Sequence, residues 1–154
     1  MVKVLSKLTL IFVCVLIPAS IAAQDTLLIS WAETPGLLES TIQADTTADG
    51  SQAHDVYLLE ANKIYLQRTQ LNVNSHVNIS GKTPGDGEFP ATIQPMPGDD
   101  GLSGFTGWPN GNFQVYGDGA NLTLRNLILN GASIDQGFNL GSVITARGDL
   151  QKIV

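Results

Sequence analysis

The amino-acid sequence predicts an all-β fold, a right-handed parallel β-helix that coils short strands around one apolar core. Apolar pairs at period two recur every six to eight residues within residues 56–79, too closely for a β-sandwich, whose strands recur about every 8 to 12 residues. Similar segments then return after 21, 45 and 28 residues. A period of roughly 20 to 30 residues with insertions on one side is typical of a solenoid.

Composition agrees with a single β-rich domain. The chain has 154 residues, of which 43% are hydrophobic and 14% charged, enough apolar material for a core. All 16 glycines follow residue 35, which indicates many turns and argues against a helix bundle. The net charge of −6 makes nucleic acid an unsuitable partner.

Residues 1–23 have the anatomy of a cleaved export signal. Lys3 and Lys7 precede an apolar run over residues 8–17, and small residues follow up to Ala23. The run is shorter than the roughly 20 residues that span a membrane, so we expect no membrane span after cleavage near Ala23. The mature protein is then secreted, periplasmic or on the cell surface, with a net charge of −8, because both signal charges are lysines.

The only cysteine, Cys14, lies within the signal. A mature chain without cysteine has no disulfides, thiolate metal sites or cysteine nucleophiles. Its stability must come from packing and backbone hydrogen bonds.

The mature chain begins with a lead-in over residues 24–33, and residues 34–154 are predicted to form an N-terminal cap and the first coils. Leu38 and Ile42, four residues apart, suit one face of a short helix within residues 34–45. The polar residues 46–54 then form a turn.

Four short strands follow from residue 55 onward. Each carries two apolar residues separated by one other residue, which is the pattern of a strand with one buried face. The pairs are Val56/Leu58, Ile64/Leu66, Leu71/Val73 and Val77/Ile79.

Residues 81–119 hold ten of the 16 glycines around strand fragments at Ile93 and at Phe113/Val115. We expect residues 82–112 to lie outside the coil as a long loop, because glycines offer little side-chain surface for packing.

The next strand, within residues 121–131, changes its alternation at Asn126. Leu122/Leu124 precede that residue and Leu127/Leu129 follow it. A flat strand would turn one pair outward at such a slip. Asparagine tolerates left-handed backbone angles, so a structural bend at Asn126 keeps all four leucines inside. Val143, Ile144, Leu150 and Ile153 continue the inward pattern.

Three stretches carry a family resemblance: LLESTIQAD, then DVYLLEANKIYLQRTQLNVNSHVNISGK, then FQVYGDGANLTLRNLILNGA. Together they resemble the N-terminal part of pectate-lyase-like parallel β-helix proteins, over residues 37–154. The resemblance implies a helix that plugs the end of the coil, an asparagine in a sharp bend, and a protein that binds or degrades extracellular polysaccharide. Catalytic Lys and Arg and calcium-binding acids come from later coils in that family, and no residue here matches them, so whether the protein is an enzyme stays open. A non-catalytic surface or adhesion β-helix, or a carbohydrate-binding module, is the alternative.

Aromatic residues suggest one sugar site. Trp108 and Tyr116 present flat faces that can stack on sugar rings. The alternative is that the loop folds its aromatic side chains back over the core.

Acidic residues in the glycine-rich region suggest a calcium site. Asp99 and Asp100 are the main candidates, with Asp86, Glu88 and Asp118 nearby in sequence. Carboxylates on a flexible loop suit calcium, but no EF-hand spacing is present and a solvated acidic loop is the alternative.

Two further residue pairs are 22 residues apart, about one coil. Arg125 and Arg147 could line one face and pair with sugar carboxylates, or form ion pairs with Asp118 or Asp149. The two histidines, His54 and His76, could likewise stack but make a poor metal site alone. We expect both histidines to be surface residues.

Asn78 and Asn121 head glycosylation sequons in which the middle residue is expected to face the core.

The sequence stops inside a predicted strand at residues 150–154. Solenoids need caps at both ends, so we expect this chain to be the N-terminal portion of a longer protein. On its own, we expect it to self-associate through its uncapped end.

Overall fold

The computed structural model describes residues 24–96, 111–132, 143–147 and 152–154. Within these ranges it contains one helix, α1 (Leu37–Ala44), and eleven strands. The strands are β1 (Thr26–Ile29), β2 (Val56–Leu59), β3 (Ile64–Gln67), β4 (Leu71–Val73), β5 (His76–Gly81), β6 (Ala91–Pro95), β7 (Phe113–Tyr116), β8 (Asn121–Arg125), β9 (Leu127–Leu129), β10 (Ile144–Arg147) and β11 (Lys152–Ile153).

The strands form three parallel sheets. The first sheet has the order β1-β2-β5-β8-β11, the second β3-β6-β9 and the third β4-β7-β10. From β2 onward the chain enters the first, second and third sheets in turn and then repeats the sequence. Tyr57 lies beside Ile79, and Ile79 beside Leu124, so equivalent positions recur after 22 and 45 residues. The prediction of an all-β protein built from parallel strands is confirmed.

One apolar core joins the sheets to the helix. Leu38 and Ile42 of α1, the pair that predicted the helix, are 1% and 2% exposed and belong to the same buried cluster as the strand residues. The helix begins after Gly36, whose φ of +86° suits glycine and whose N–H donates to the Leu66 carbonyl. The strand residues in the cluster are Ile29, Tyr57, Leu59, Tyr65, Leu71, Val73, Val77, Ile79, Ala91, Ile93, Phe113, Val115 and Leu122.

In β2 and β3 the strand residues of the apolar core cluster are the neighbours of the predicted pairs, although Val56, the first member of the β2 pair, is also buried. Tyr57 is fully buried whereas Leu58 is half-buried, and Tyr65 is buried whereas Ile64 is 38% exposed. The expectation was wrong for Leu58, Ile64 and Leu66, because both phenols find partners inside. The Tyr65 hydroxyl donates to the Ile29 carbonyl, 2.8 Å away, which removes the penalty for burying it.

Residues 82–112 were also wrongly expected to lie entirely outside the coil. They contain β6, a full member of the second sheet in which Ala91 and Ile93 have no exposed surface. Asn112 is fully buried as well and exchanges hydrogen bonds with Gln67. The glycines therefore flank a core strand.

The corner between β8 and β9 consists of Asn126 alone. Its φ is +53°, and its side-chain nitrogen donates to the carbonyls of Gly81 and Lys82, 3.0 and 2.9 Å away. A Cβ on Gly81 would lie 2.2 Å from the Asn126 carbonyl oxygen, so only glycine fits there. Leu122 is fully buried and the other three leucines of this segment pack against the core.

Candidate functional site

The outer surface of the third sheet carries a row of hydrogen-bonding side chains. Leu71, Val73, Phe113 and Val115 point inward, so the residues between and after them point outward. Five outward residues make up what we call the polar face: Asn72, Gln114, Tyr116, Thr145 and Arg147.

Strand register aligns these residues across the three strands of the third sheet. Asn72 lies beside Gln114, and Gln114 beside Thr145. Tyr116 lies beside Arg147 in the same pair of strands. Adjacent strands are about 4.8 Å apart, so each row runs at right angles to the strands with that spacing. The tyrosine is 39% exposed, and Asn72 and Arg147 are also exposed.

The chemistry of the polar face suits a polyhydroxylated ligand. Its two amides and its two hydroxyls can each donate and accept hydrogen bonds. The exposed Tyr116 offers a flat apolar surface edged by a polar group, and Arg147 offers a planar cation that matches a carboxylate.

A second polar cluster lies where α1 meets β2. Asp45, which follows α1, accepts hydrogen bonds from the His54 ring Nδ1 at 2.8 Å and from the Tyr57 hydroxyl at 2.7 Å. The His54 backbone N–H donates to the same carboxylate. Gln52, with its amide nitrogen turned inward, donates to the Tyr57 hydroxyl and to the Ile42 carbonyl.

Proton affinities in this cluster follow from those contacts. Burial raises the pKa of Asp45, but hydrogen bonds from Tyr57 and His54 outweigh it, so the pKa lies below its ordinary value. The hydrogen bond to Asp45 raises the pKa of His54 against the opposing effect of desolvation. Burial, then Asp45, raises the pKa of Tyr57.

A shallow depression of about 410 Å³ lies beside this cluster. It lies against α1 and β1, and its lining residues are Leu27, Ser40, Thr41, Ala44 and Asp45.

No protein-family model matches the chain, and neither a curated protein nor a solved structure matches it significantly.

Of the residues predicted for sugar stacking, Tyr116 lies on the polar face. Trp108 and the two main calcium candidates, Asp99 and Asp100, lie outside the described residues. Asn126 occupies the corner between β8 and β9.

The other acidic candidates do not converge. Glu88 accepts a hydrogen bond from the Gly85 N–H, 2.7 Å away, and so stabilises its own turn. In the part of the chain that the structure describes, no group of three His, Cys, Asp or Glu side chains could hold a metal ion. Within the same residues, no helix is long and apolar enough to cross a membrane.

The paired arginines and histidines are separated by the topology. Arg125 belongs to the first sheet and Arg147 to the third, so the two arginines do not line one face. No ion pair joins Arg125 to Asp118, both of which the structure describes, because Arg125 ends β8 whereas Asp118 precedes its start, and a five-residue strand is about 16 Å long. His54 pairs with Asp45, whereas His76 begins β5 and is exposed.

A repeated pattern in the sequence predicts the polar face. Comparing Arg125 with Arg147 by their spacing did not reveal it. The triplets LNV, FQV and ITA each place one polar residue between two apolar residues. Aligning these triplets brings Asn72, Gln114 and Thr145 together, as the strand register does. The Asp45 cluster has no comparable signal, because its members depend on how α1 docks.

Proposed function

We propose that the chain is an exported, right-handed parallel β-helix capped by α1, and that it binds extracellular polysaccharide along the polar face. Three parallel sheets entered in rotation support the coil. Connections between parallel strands of one sheet are right-handed in about 98% of cases, which supports the hand. The burial of Leu38 and Ile42 against the strand core supports the capping role of α1.

The observation that carries the binding proposal is the register of Tyr116 with Arg147, next to the aligned row of Asn72, Gln114 and Thr145. A sugar polymer presents ring faces, hydroxyls and, in uronates, carboxylates. The polar face offers a partner for each of these groups, repeated from coil to coil. Binding is proposed here without cleavage, since the resemblance to pectate-lyase-like proteins matches none of the family's catalytic residues.

Affinity electrophoresis tests the proposal, with polygalacturonate as the anionic probe and arabinogalactan as the neutral one. We expect the chain to be retarded by at least one polymer. Tyr116→Ala should weaken binding roughly threefold to tenfold, the usual worth of an aromatic contact. Arg147→Ala should weaken binding to polygalacturonate selectively.

Two matched variants serve as controls. Phe89 is 40% exposed and so matches Tyr116 in exposure. Arg125 is an exposed arginine of the first sheet and so matches Arg147 in charge. Both residues lie away from the polar face. Phe89→Ala and Arg125→Ala should therefore leave retardation unchanged. If neither polymer retards the chain, or if the controls lose as much as the test variants, the proposal fails.

A further inference from the structure

His54 lies at a junction of three segments that each contribute an aspartate. Asp45 ends the α1 segment, Asp25 directly precedes β1, and Asp55 directly precedes β2. The Asp25 N–H donates to the Asp55 carboxylate at 2.9 Å, and the Asp55 N–H donates to the Asp25 carbonyl at 2.8 Å. These two hydrogen bonds join the residue before β1 to the residue before β2.

The imidazole is the cation of this junction. Its Nδ1 contacts both oxygens of Asp45, at 2.9 and 2.8 Å, and the negative charges of Asp25 and Asp55 act on it as well. Tyr57, whose hydroxyl donates to Asp45, is the remaining titratable group of the cluster. His54 is 28% exposed and Asp45 14%, so the pair is only partly screened by water.

We propose that His54 is a proton-operated clamp that holds the end of α1 against β1 and β2, closed when the imidazole is charged and loosened when it is neutral. Loss of the proton removes the positive charge that attracts Asp45, Asp25 and Asp55, and their negative charges then act unbalanced on the segments that position α1. Docking of the helix then depends on pH through this one side chain. The clamp is independent of the proposed polysaccharide binding.

The direction of the pH effect follows from linkage. The pKa of His54 is raised above its ordinary value of 6.5 in the folded protein. The stabilising contribution is therefore fully present below pH 6.5 and is lost as the pH rises through the raised value.

Amide hydrogen exchange of residues 37–45 reports the clamp directly. We compare the unchanged chain with His54→Gln at the same pH, so that intrinsic exchange rates cancel. At pH 5.5 the helix amides of the unchanged chain should exchange about threefold more slowly than those of the variant, which is the usual contribution of a partly exposed ion pair. At pH 8.5 the ratio should fall towards one. His76→Gln should behave as the unchanged chain at both values.

A titration of the histidine ring signals by NMR in the unchanged chain decides the matter even where His54→Gln folds poorly. The midpoint of His54 should lie above 6.5, with the His76→Gln spectrum assigning the signals. A midpoint at or below 6.5, or an exchange ratio that is the same at pH 5.5 and 8.5, would overturn the clamp.

Discussion

At the scale of single residues, polar side chains at the corners hold neighbouring segments in place. Asn126 adopts a left-handed backbone conformation, which costs about 1–2 kcal/mol in most L-residues and less in asparagine. Its amide in return binds the carbonyls of Gly81 and Lys82, the start of the segment that leads to β6. Conformation and hydrogen bonding thus select the same residue type at this corner.

Two substitutions of Asn126 separate these effects. Asn126→Gly keeps the backbone angle accessible but loses both hydrogen bonds, so it should lower the free energy of unfolding by about 1–2 kcal/mol. Asn126→Ala adds the strain of a positive φ and should lower it by about 1 kcal/mol more. Urea unfolding at neutral pH measures both. Equal stability of the two variants would show that backbone strain plays no part at this corner.

At the scale of elements, α1 is bound to the corner between β3 and β4 by a buried carboxylate. Glu39 is 4% exposed, and its Oε1 accepts hydrogen bonds from the backbone N–H groups of Arg68 and Thr69, at 2.7 and 3.2 Å. Its Oε2 is buried and accepts no hydrogen bond from the residues described. Burial raises the pKa of Glu39 despite these hydrogen bonds and the nearby Arg68 charge.

The raised pKa predicts a pH-dependent stability difference for Glu39→Gln. Because the folded pKa lies above the ordinary 4.5, the contribution of Glu39 is fully present below pH 4.5 and is lost as the pH rises through the folded value. Glutamine keeps the accepting oxygen without the charge. From pH 4 to pH 7 the variant should therefore gain stability relative to the unchanged chain, by about 1.4 kcal/mol for each pH unit that separates 4.5 from the raised pKa of Glu39.

Urea unfolding at both pH values tests this, with Glu39→Ala as the control. Alanine leaves the Arg68 and Thr69 N–H groups without this acceptor and should cost about 1–3 kcal/mol at either pH. Parallel pH profiles for the glutamine variant and the unchanged chain would contradict the raised pKa.

Sequence patterns predicted the inward residues of some strands and not of others. The inward residues of β4 and β5 are the predicted pairs, because in LNV and VNI only apolar residues alternate. In β2 and β3 apolar residues and tyrosine stand side by side, so the pattern fits either face. The choice depends on the Ile29 carbonyl and on Asp45, which reach the two phenols only in the folded chain. The polar face was likewise readable from repeated triplets, whereas the contact of His54 with Asp45 was not.

At the scale of the whole molecule, one core extends through all three sheets. Gln67 and Asn112, both fully buried, exchange hydrogen bonds at 2.9 Å in each direction and join the end of β3 to the start of β7. Ile79 lies in β5, the central strand of the first sheet, between Tyr57 and Leu124. The three sheets therefore pack on one shared core, and we expect the described part of the chain to unfold as a unit.

Ile79→Ala tests this cooperativity, and Ile128→Ala is its matched control. Ile79 has no exposed surface, so the truncation should lower the free energy of unfolding by about 2–5 kcal/mol. Ile128 lies in the second sheet and is 41% exposed, so the same truncation should change it by less than about 0.5 kcal/mol. For each protein, urea transitions followed by far-UV circular dichroism and by tryptophan fluorescence should coincide, because Trp31 packs against the same core as the strands. Separate midpoints for the two probes would show that parts of the described chain unfold independently. Equal losses of stability from the two truncations would show that the core lies elsewhere.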